Sequence, residues 1–157
     1  MPQSILVIED APNWQEQLTS ILLDEGYKVE IAGDYIKALA RLRHNAFDLL
    51  VVDLRLSESE VDRSGMDLLS DAYERQIPVV IVTGYGTPEL AKEAYHDYGA
   101  YDFIAKGKFD GDHFRGSIKR AIATSQVRQR PEPLTSEQKK KFEETVRKMF
   151  RGEIIKF

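Results

Sequence analysis

The sequence predicts an α/β fold in which a parallel β-sheet is covered on both faces by helices. The first observation is the stretch at residues 47–54, in which only Asp48 and Asp53 interrupt an otherwise apolar run. A short run that does not alternate with polar residues is typical of a strand buried on both faces. The second observation is that such runs alternate along the chain with segments of helical length and periodicity, which is the order of a doubly wound sheet.

Five strands are expected, each rich in aliphatic or β-branched residues. They are predicted at residues 4–8, 28–32, 47–54, 79–82 and 102–105. The second run alternates polar and apolar residues, which indicates an outer strand, and the others are apolar enough to be central.

Five helices are expected between and after these strands. They are predicted at residues 12–25, 34–44, 65–76 and 88–98 and from Asp110 or Asp112 onwards. Pro12 and Pro88 suit a first helical turn, Gly26 suits a helix stop and Asp34 suits an N-cap. Residues 57–64 form a polar, charged loop before the third helix, either a solvated insertion or a flap that contacts a partner.

Three helices show an apolar stripe that we expect to face the sheet. In the first helix the stripe is Trp14, Leu18, Ile21 and Leu22. In the second it is Ile36, Leu39 and Ala40, and in the fifth it is Phe114, Ile118, Ala121 and Ile122. Trp14 is expected to pack in or beside the core rather than to bind a ligand.

Polar residues stand at the carboxyl ends of four predicted strands. Glu9 and Asp10 follow the first strand, Asp53 the third, Thr83 the fourth and Lys106 the fifth. From its own strand alone, Asp53 is better interpreted as a cap or structural acid. Because all parallel strand ends lie on one edge of the sheet, however, three acids, a hydroxyl and an ammonium are expected to converge. The carboxylates suit Mg²⁺ and Lys106 suits phosphate, a combination that fits phosphoryl transfer.

With these residues the chain resembles the receiver domain of two-component response regulators. Segments at residues 53–56, 65–69 and 99–103 also resemble the family, and the resemblance covers residues 4 to 128. It implies a flavodoxin-like α/β fold, a five-stranded parallel sheet of order 2-1-3-4-5, here followed by a C-terminal helical extension. It also implies a cytoplasmic signalling protein that accepts a phosphoryl group and is not an enzyme.

The resemblance implies a role for each site residue. Asp53 would accept the phosphoryl group from a histidine kinase, a phosphotransfer protein or a small phosphodonor. Mg²⁺ would be held by Glu9, Asp10, Asp53 and the backbone carbonyl of Arg55. Thr83 and Lys106 would bind phosphate oxygens.

The same resemblance implies a switch. Thr83 and Phe103 would be the switch residues, with Phe103 moving inward and changing the face made of the fourth helix, fifth strand and fifth helix. Arg55 and Tyr85 would flank the path of the attacking water and tune dephosphorylation, with Tyr85 prolonging the life of the aspartyl phosphate. One departure is Gly107, where the family usually has a proline in a cis bond.

The chain divides into a receiver at residues 1–128, a linker at 129–134 and an amphipathic helical tail at 135–157. The tail carries an apolar stripe of Phe142, Val146, Met149 and Phe150. Residues 1–127 contain 13 basic and 21 acidic side chains, a net charge of −8, whereas residues 128–157 contain nine and five, a net charge of +4. The tail is therefore expected to dock on the acidic receiver or to form a homodimer contact, and nucleic acid is disfavoured as a partner.

Composition and spacing exclude other classes. The chain has no cysteine, and no apolar run is long enough to cross a membrane. Phosphohydrolases of the haloacid dehalogenase type and Toprim-like nucleases need a second acid near Asp53, but residue 55 is Arg. The remaining alternative is a phosphorylation-independent interaction module on the same fold, which would be expected to lack one of the five polar positions.

Overall fold

The structure is a computed structural model that describes residues 2–54, 64–84 and 88–127 of the 157, together with residues 136, 137 and 140. Strands and helices alternate through this part of the chain. The strands are β1 (Ser4–Ile8), β2 (Lys28–Ala32), β3 (Leu49–Val52), β4 (Val79–Thr83) and β5 (Asp102–Ala105). The helices are α1 (Pro12–Asp24), α2 (Tyr35–His44), α3 (Ser64–Glu74), α4 (Pro88–Asp97) and α5 (Gly111–Val127). A 3₁₀ turn, Lys106–Lys108, follows β5.

The five strands form one parallel sheet of order β2-β1-β3-β4-β5, which confirms the predicted fold class and strand order. The central strands β1, β3 and β4 are almost wholly buried, as their unbroken apolar sequences indicate. Helices α1 and α5 pack on one face of the sheet, and α2 and α3 pack on the other. This is the doubly wound arrangement.

Side chains that alternate along each strand separate the core into two layers. On β3, Leu49 and Val51 pack with α1 and α5, whereas Leu50 and Val52 pack on the opposite face. The four predicted inward residues of α5 are all buried. In α1, Leu18 and Leu22 are buried, and Trp14 and Ile21 are partly buried against the same layer.

The predicted inner stripe of α2 is wrong by about one residue. Ile36 is 78% exposed, whereas Ala38 and Leu42 are buried and Tyr35 packs against the core. Apolar residues occur on both sides of the true stripe in this segment, so two helical phases fit the sequence almost equally. The observed phase places Tyr35 and Leu42 on the sheet, which buries larger side chains than the predicted phase.

Local signals set most of the helix ends. The Asp34 side chain accepts a hydrogen bond of 2.8 Å from the backbone N–H of Lys37, which confirms it as the N-cap of α2. Gly26 follows α1 with φ of +88°, a conformation that favours glycine. The predicted α3 ends later than the observed helix, which stops at Glu74 before Gln76 adopts φ of +63°.

Some predictions fall outside the described residues. The loop at residues 57–63 lies there, and so do Arg55, Tyr85 and nearly all of the predicted linker and tail. Of the tail, residues 136, 137 and 140 are helical. Within the described part of the chain, none of the helices combines the length and apolar character needed to span a bilayer.

Candidate functional site

The parallel register brings the predicted polar residues to one edge of the sheet. Ile8 of β1 pairs with Val52 of β3, and Thr83 of β4 pairs with Ala105 of β5. The residues that follow Ile8, Val52 and Ala105 therefore lie at the same edge of the sheet as Thr83, the edge formed by the carboxyl ends of the strands. These residues are Glu9, Asp53 and Lys106.

Asp53 lies at the centre of this edge, and both of its carboxylate oxygens accept a hydrogen bond. The Thr83 hydroxyl donates to Oδ1 at 2.7 Å, and the Lys106 Nζ donates to Oδ2 at 2.9 Å. Asp53 is 6% exposed and Thr83 is fully buried. A hydroxyl and an ammonium are therefore already directed at the two oxygens of the central carboxylate.

Glu9 shares the same ammonium. Lys106 Nζ donates to Glu9 Oε1 at 2.9 Å, and the backbone N–H of Ala11 donates to the same oxygen at 3.1 Å. The other oxygen, Oε2, is buried and has no hydrogen-bond partner among the described residues. Burial, and then the charge of Asp53, raise the pKa of Glu9 from 4.5 to about 7, although Lys106 opposes the rise. Glu9 is thus a desolvated carboxylate with an unused oxygen.

Lys106 bridges the two carboxylates. Burial acts to lower the pKa of Lys106, but its hydrogen bonds and charge interactions with Asp53 and Glu9 outweigh burial and raise it above the usual value. Lys106 therefore remains an ammonium at neutral pH.

Asp10 completes the acidic group. It is exposed, and one oxygen from each of Glu9, Asp10 and Asp53 lies within 4.8 Å of the others. Among the described residues, these carboxylates form a set that can hold a metal ion. Hard divalent cations prefer carboxylate oxygens, and Glu9 Oε2 is a potential metal ligand that none of the described residues contacts by a hydrogen bond. The donor set therefore fits a small hard cation such as Mg²⁺.

A sequence model of the response regulator receiver domain matches residues 5–119, well over half of the chain. The chain belongs to the response regulator receiver family. This confirms the resemblance drawn from the sequence, and it places the protein in a family of signal transduction in two-component systems.

Individual receiver-containing proteins are similar over most of this chain. Nitrogen assimilation regulatory protein NtrX of Azorhizobium caulinodans is 36% identical over 131 residues, which cover 82% of this chain and 28% of NtrX. Transcriptional regulatory protein ZraR of Klebsiella oxytoca is 30% identical over 129 residues, 81% of this chain and 28% of ZraR. The match thus spans little more than a quarter of the length of these curated relatives.

Solved receiver structures have the same fold. The crystal structure of NtrX from Brucella abortus matches with a TM-score of 0.70 and 35% identity, covering 81% of this chain and 28% of that chain. A CheY-like receiver domain protein from Methanospirillum hungatei JF-1 matches with a TM-score of 0.71 and 26% identity, covering 81% of this chain and 98% of that chain.

The receiver site also contains an aromatic contact that the sequence analysis missed. Lys106 Nζ lies over the Trp14 ring, 5.1 Å from its centroid. Gln15, the next residue, donates from Nε2 to the backbone carbonyl of Glu9 at 2.6 Å. The signal for this contact was weak, because Trp14 also fits the apolar stripe of α1.

Two predicted features of the receiver domain depend on residues around β5. The Phe103 side chain is already fully buried and packs against Tyr95, with ring centroids 6.5 Å apart. Phe103 thus has the inward position in this structure, and its movement on phosphorylation stays a prediction. The Lys106–Gly107 bond is not cis, since the described residues contain no cis peptide bond.

Proposed function

We propose that this receiver domain is a phospho-acceptor whose acceptor is Asp53. The observation that carries the proposal is the pairing of both Asp53 oxygens with Thr83 and Lys106 at 2.7 and 2.9 Å. The donor would be a phosphohistidine of a histidine kinase or phosphotransfer protein, or a small phosphodonor. As for the family at large, we place this activity in the cytoplasm and treat the chain as a signalling protein rather than an enzyme.

The transfer follows from the nature of the groups present. An oxygen of Asp53 attacks phosphorus, the bond from phosphorus to the histidine nitrogen breaks, and the imidazole leaves with the electron pair. The product is an aspartyl phosphate. Thr83 and Lys106 then donate to phosphoryl oxygens rather than to the carboxylate, so the charge that develops on the phosphoryl group is met by donors already in place.

We further propose that Glu9, Asp10, Asp53 and the Arg55 backbone carbonyl hold Mg²⁺. Arg55 lies outside the described residues, so the three carboxylates support this part. The bound cation would supply positive charge that offsets repulsion between these carboxylates and the incoming phosphoryl group. Tyr85 also lies outside the described residues. We propose that Tyr85 and Arg55 both tune the dephosphorylation rate.

Removal of the exposed carboxylate tests the metal site. Asp10→Ala is expected to weaken Mg²⁺ binding by at least about tenfold, because one charged ligand of a sparse set is lost. Titration calorimetry measures the affinity. Asp24→Ala is the matched control, since Asp24 is an exposed acid at the far end of α1. Unchanged affinity in Asp10→Ala would locate the site elsewhere.

For the output, we propose that phosphorylation acts through Thr83. When the Thr83 hydroxyl transfers its bond from Asp53 to the phosphoryl group, the end of β4 moves and the face of α4, β5 and α5 changes. Phe103 is already buried in this structure. We propose that the movement of the β4 end stabilises this inward position of the Phe103 ring. This face would bind a partner or a second copy of the chain.

We propose that the chain is organised as the receiver at residues 1–128, a linker at 129–134 and a helical tail at 135–157. The basic tail and the acidic receiver have complementary charges, and four large apolar side chains need a surface to cover them. Each would contribute about 1.5–3 kcal/mol on full burial, before ordering costs. The contact would be with the receiver itself or with a second copy.

Truncation tests the tail. The full chain is expected to show slow hydrogen exchange at residues 135–150. When the chain ends at residue 128, either hydrogen exchange on the receiver becomes faster, if the tail docks there, or a dimer becomes a monomer. Hydrogen exchange and light scattering measure the two effects, with and without phosphorylation, and added salt should weaken the contact. A freely exchanging tail on a chain of constant monomeric mass would contradict the proposal.

The alternative is a receiver that binds partners without phosphorylation. The discriminating feature would be loss of a site residue, and Glu9, Asp10, Asp53, Thr83 and Lys106 are all present. This favours the phospho-acceptor, and direct labelling distinguishes the two.

A further inference from the structure

Lys106 directly follows the buried strand β5, and its backbone carbonyl accepts a hydrogen bond of 3.3 Å from the N–H of Phe109. It begins the 3₁₀ turn Lys106–Lys108, and the next residue, Gly107, is exposed, with no heavy atom of the described residues within 4 Å of the position a Cβ would take. Glycine has the largest backbone freedom of any residue. Because the four-carbon stem of lysine is flexible, the position of the ammonium, at 2.9 Å from both carboxylates, depends on contacts of the side chain itself.

The Trp14 ring provides such a contact. It approaches Lys106 from α1, and the ammonium lies over the ring, 5.1 Å from the centroid. This is within the distance at which a cation is attracted to the electron-rich face of an indole. Because the Lys106 side chain is only 15% exposed, water competes weakly for the ammonium.

Two further aromatic residues fix Trp14. Phe109 meets the Trp14 ring edge to face, with centroids 5.2 Å apart and planes at 83°. The ring centroid of Phe109 also lies 5.4 Å from that of Phe114, a residue of α5 whose side chain is fully buried in the core.

We propose that Trp14 is a positioning residue for phosphoryl transfer: its ring face holds the Lys106 ammonium between Glu9 and Asp53, from where it can pass to a phosphoryl oxygen. The row of Phe114, Phe109 and Trp14 connects this ring face to the buried core. The kinetic consequence rests on the proposed phospho-acceptor function. The contact itself does not.

A purely steric role is the competing explanation, because the Trp14 ring also fills space beside the Lys106 ammonium. The two roles separate when the charge distribution of the ring is changed at almost constant size. Trp14 is the single tryptophan of the chain, so growth on fluorinated tryptophans alters this ring and no other. Each added fluorine withdraws electron density from the ring face and weakens its attraction for a cation.

The first experiment measures the rate at which the full chain is labelled by acetyl phosphate with Mg²⁺, using intact-mass spectra. From unmodified tryptophan through mono-, di- and trifluorinated forms, the rate is expected to fall stepwise, by about threefold to thirtyfold over the series. Ile36→Ser, at an exposed position on α2, is the control and should label at the wild-type rate. Equal rates across the series would overturn the positioning role.

The second experiment needs neither metal nor phosphoryl transfer. In protein with ¹³C-labelled lysine, the ring current of Trp14 should shift the Lys106 ε-methylene signal upfield. The signal is assigned by its loss in Lys106→Met. Trp14→Leu should abolish the upfield shift, and Trp14→Phe should retain part of it. A Lys106 signal at the position of ordinary exposed lysines in the wild type would overturn the proposal.

The two experiments together separate the two proposals. If wild-type chain takes no label but Lys106 shows the ring-current shift, the contact stands and the phospho-acceptor function fails. If the wild type is labelled but fluorination has no effect, the function stands and Trp14 is not a positioning residue.

Discussion

Asp53→Asn is expected to abolish Mg²⁺-dependent labelling by acetyl phosphate. The amide of Asn is a poor nucleophile, whereas its size and its ability to accept from Thr83 are close to those of the carboxylate. The fold should therefore persist while the reaction is lost, a fall of at least about a hundredfold in rate, within the range ascribed to the loss of a catalytic group. Intact-mass spectrometry detects the added phosphoryl group directly.

The matched control is Asp34→Asn. Asp34 caps α2 away from the site, and Asn is an equally good N-cap, so this change should leave both stability and labelling as in the wild type. Full labelling of the Asp53 variant would reject Asp53 as the acceptor. Fragmentation of that labelled protein would then show whether Glu9 or Asp10 had taken the phosphoryl group.

The position of the site followed from the sequence because strand ends are easy to identify. Each of Glu9, Asp53, Thr83 and Lys106 stands where an apolar run stops, and parallel strands must bring such positions to one edge. The sequence therefore indicated which residues meet. It could not indicate that one ammonium bridges two carboxylates, since that depends on the path of a flexible four-carbon side chain.

One error, in α2, and two features that the sequence did not indicate share a physical origin. Helical periodicity alone could not decide the phase of α2, where a slip of one residue leaves Ile36 exposed. Nor does periodicity distinguish a tryptophan that fills the core from one that also touches the site, as Trp14 does through residues distant in sequence. The buried position of Phe103 depends on how α4 packs on β5, since the Tyr95 ring of α4 lies 6.5 Å from the Phe103 ring, centroid to centroid. Packing between elements decides all three.

Site function and stability are opposed at Glu9. Glu9 is 1% exposed and lies next to Asp53, and one of its oxygens has no hydrogen-bond partner in the described part of the chain, so this carboxylate is costly to keep ionised. The cost appears as the rise of its pKa from 4.5 to about 7. A residue placed only for stability would not be an acid here, and the proposed Mg²⁺ site gives a reason for the acid.

The second large effect is a pH dependence of stability that Glu9 creates in the metal-free protein. Between about pH 4.5 and 7 the folded state holds a proton on Glu9 that the unfolded state has lost. The free energy of unfolding therefore falls as pH rises through this window, and the contribution of Glu9 is constant below and above it. Since one pKa unit corresponds to 1.36 kcal/mol, the free energy of unfolding is expected to fall by about 1–3 kcal/mol across this window.

Glu9→Gln should remove this dependence, because the amide does not titrate and still offers an oxygen to Lys106. Above pH 7 the variant should be more stable than the wild type by about 1–3 kcal/mol, and below pH 4.5 the two should converge. Urea denaturation in EDTA at a series of pH values measures the difference, and subtracting one curve from the other cancels the groups whose pKa values do not depend on Glu9. A difference that does not grow between pH 4.5 and 7 would mean that Glu9 ionises in the folded state as easily as in the unfolded chain. In that case the buried carboxylate would carry no stored cost for a cation to relieve, and the argument from its unpartnered oxygen to a metal site would fail.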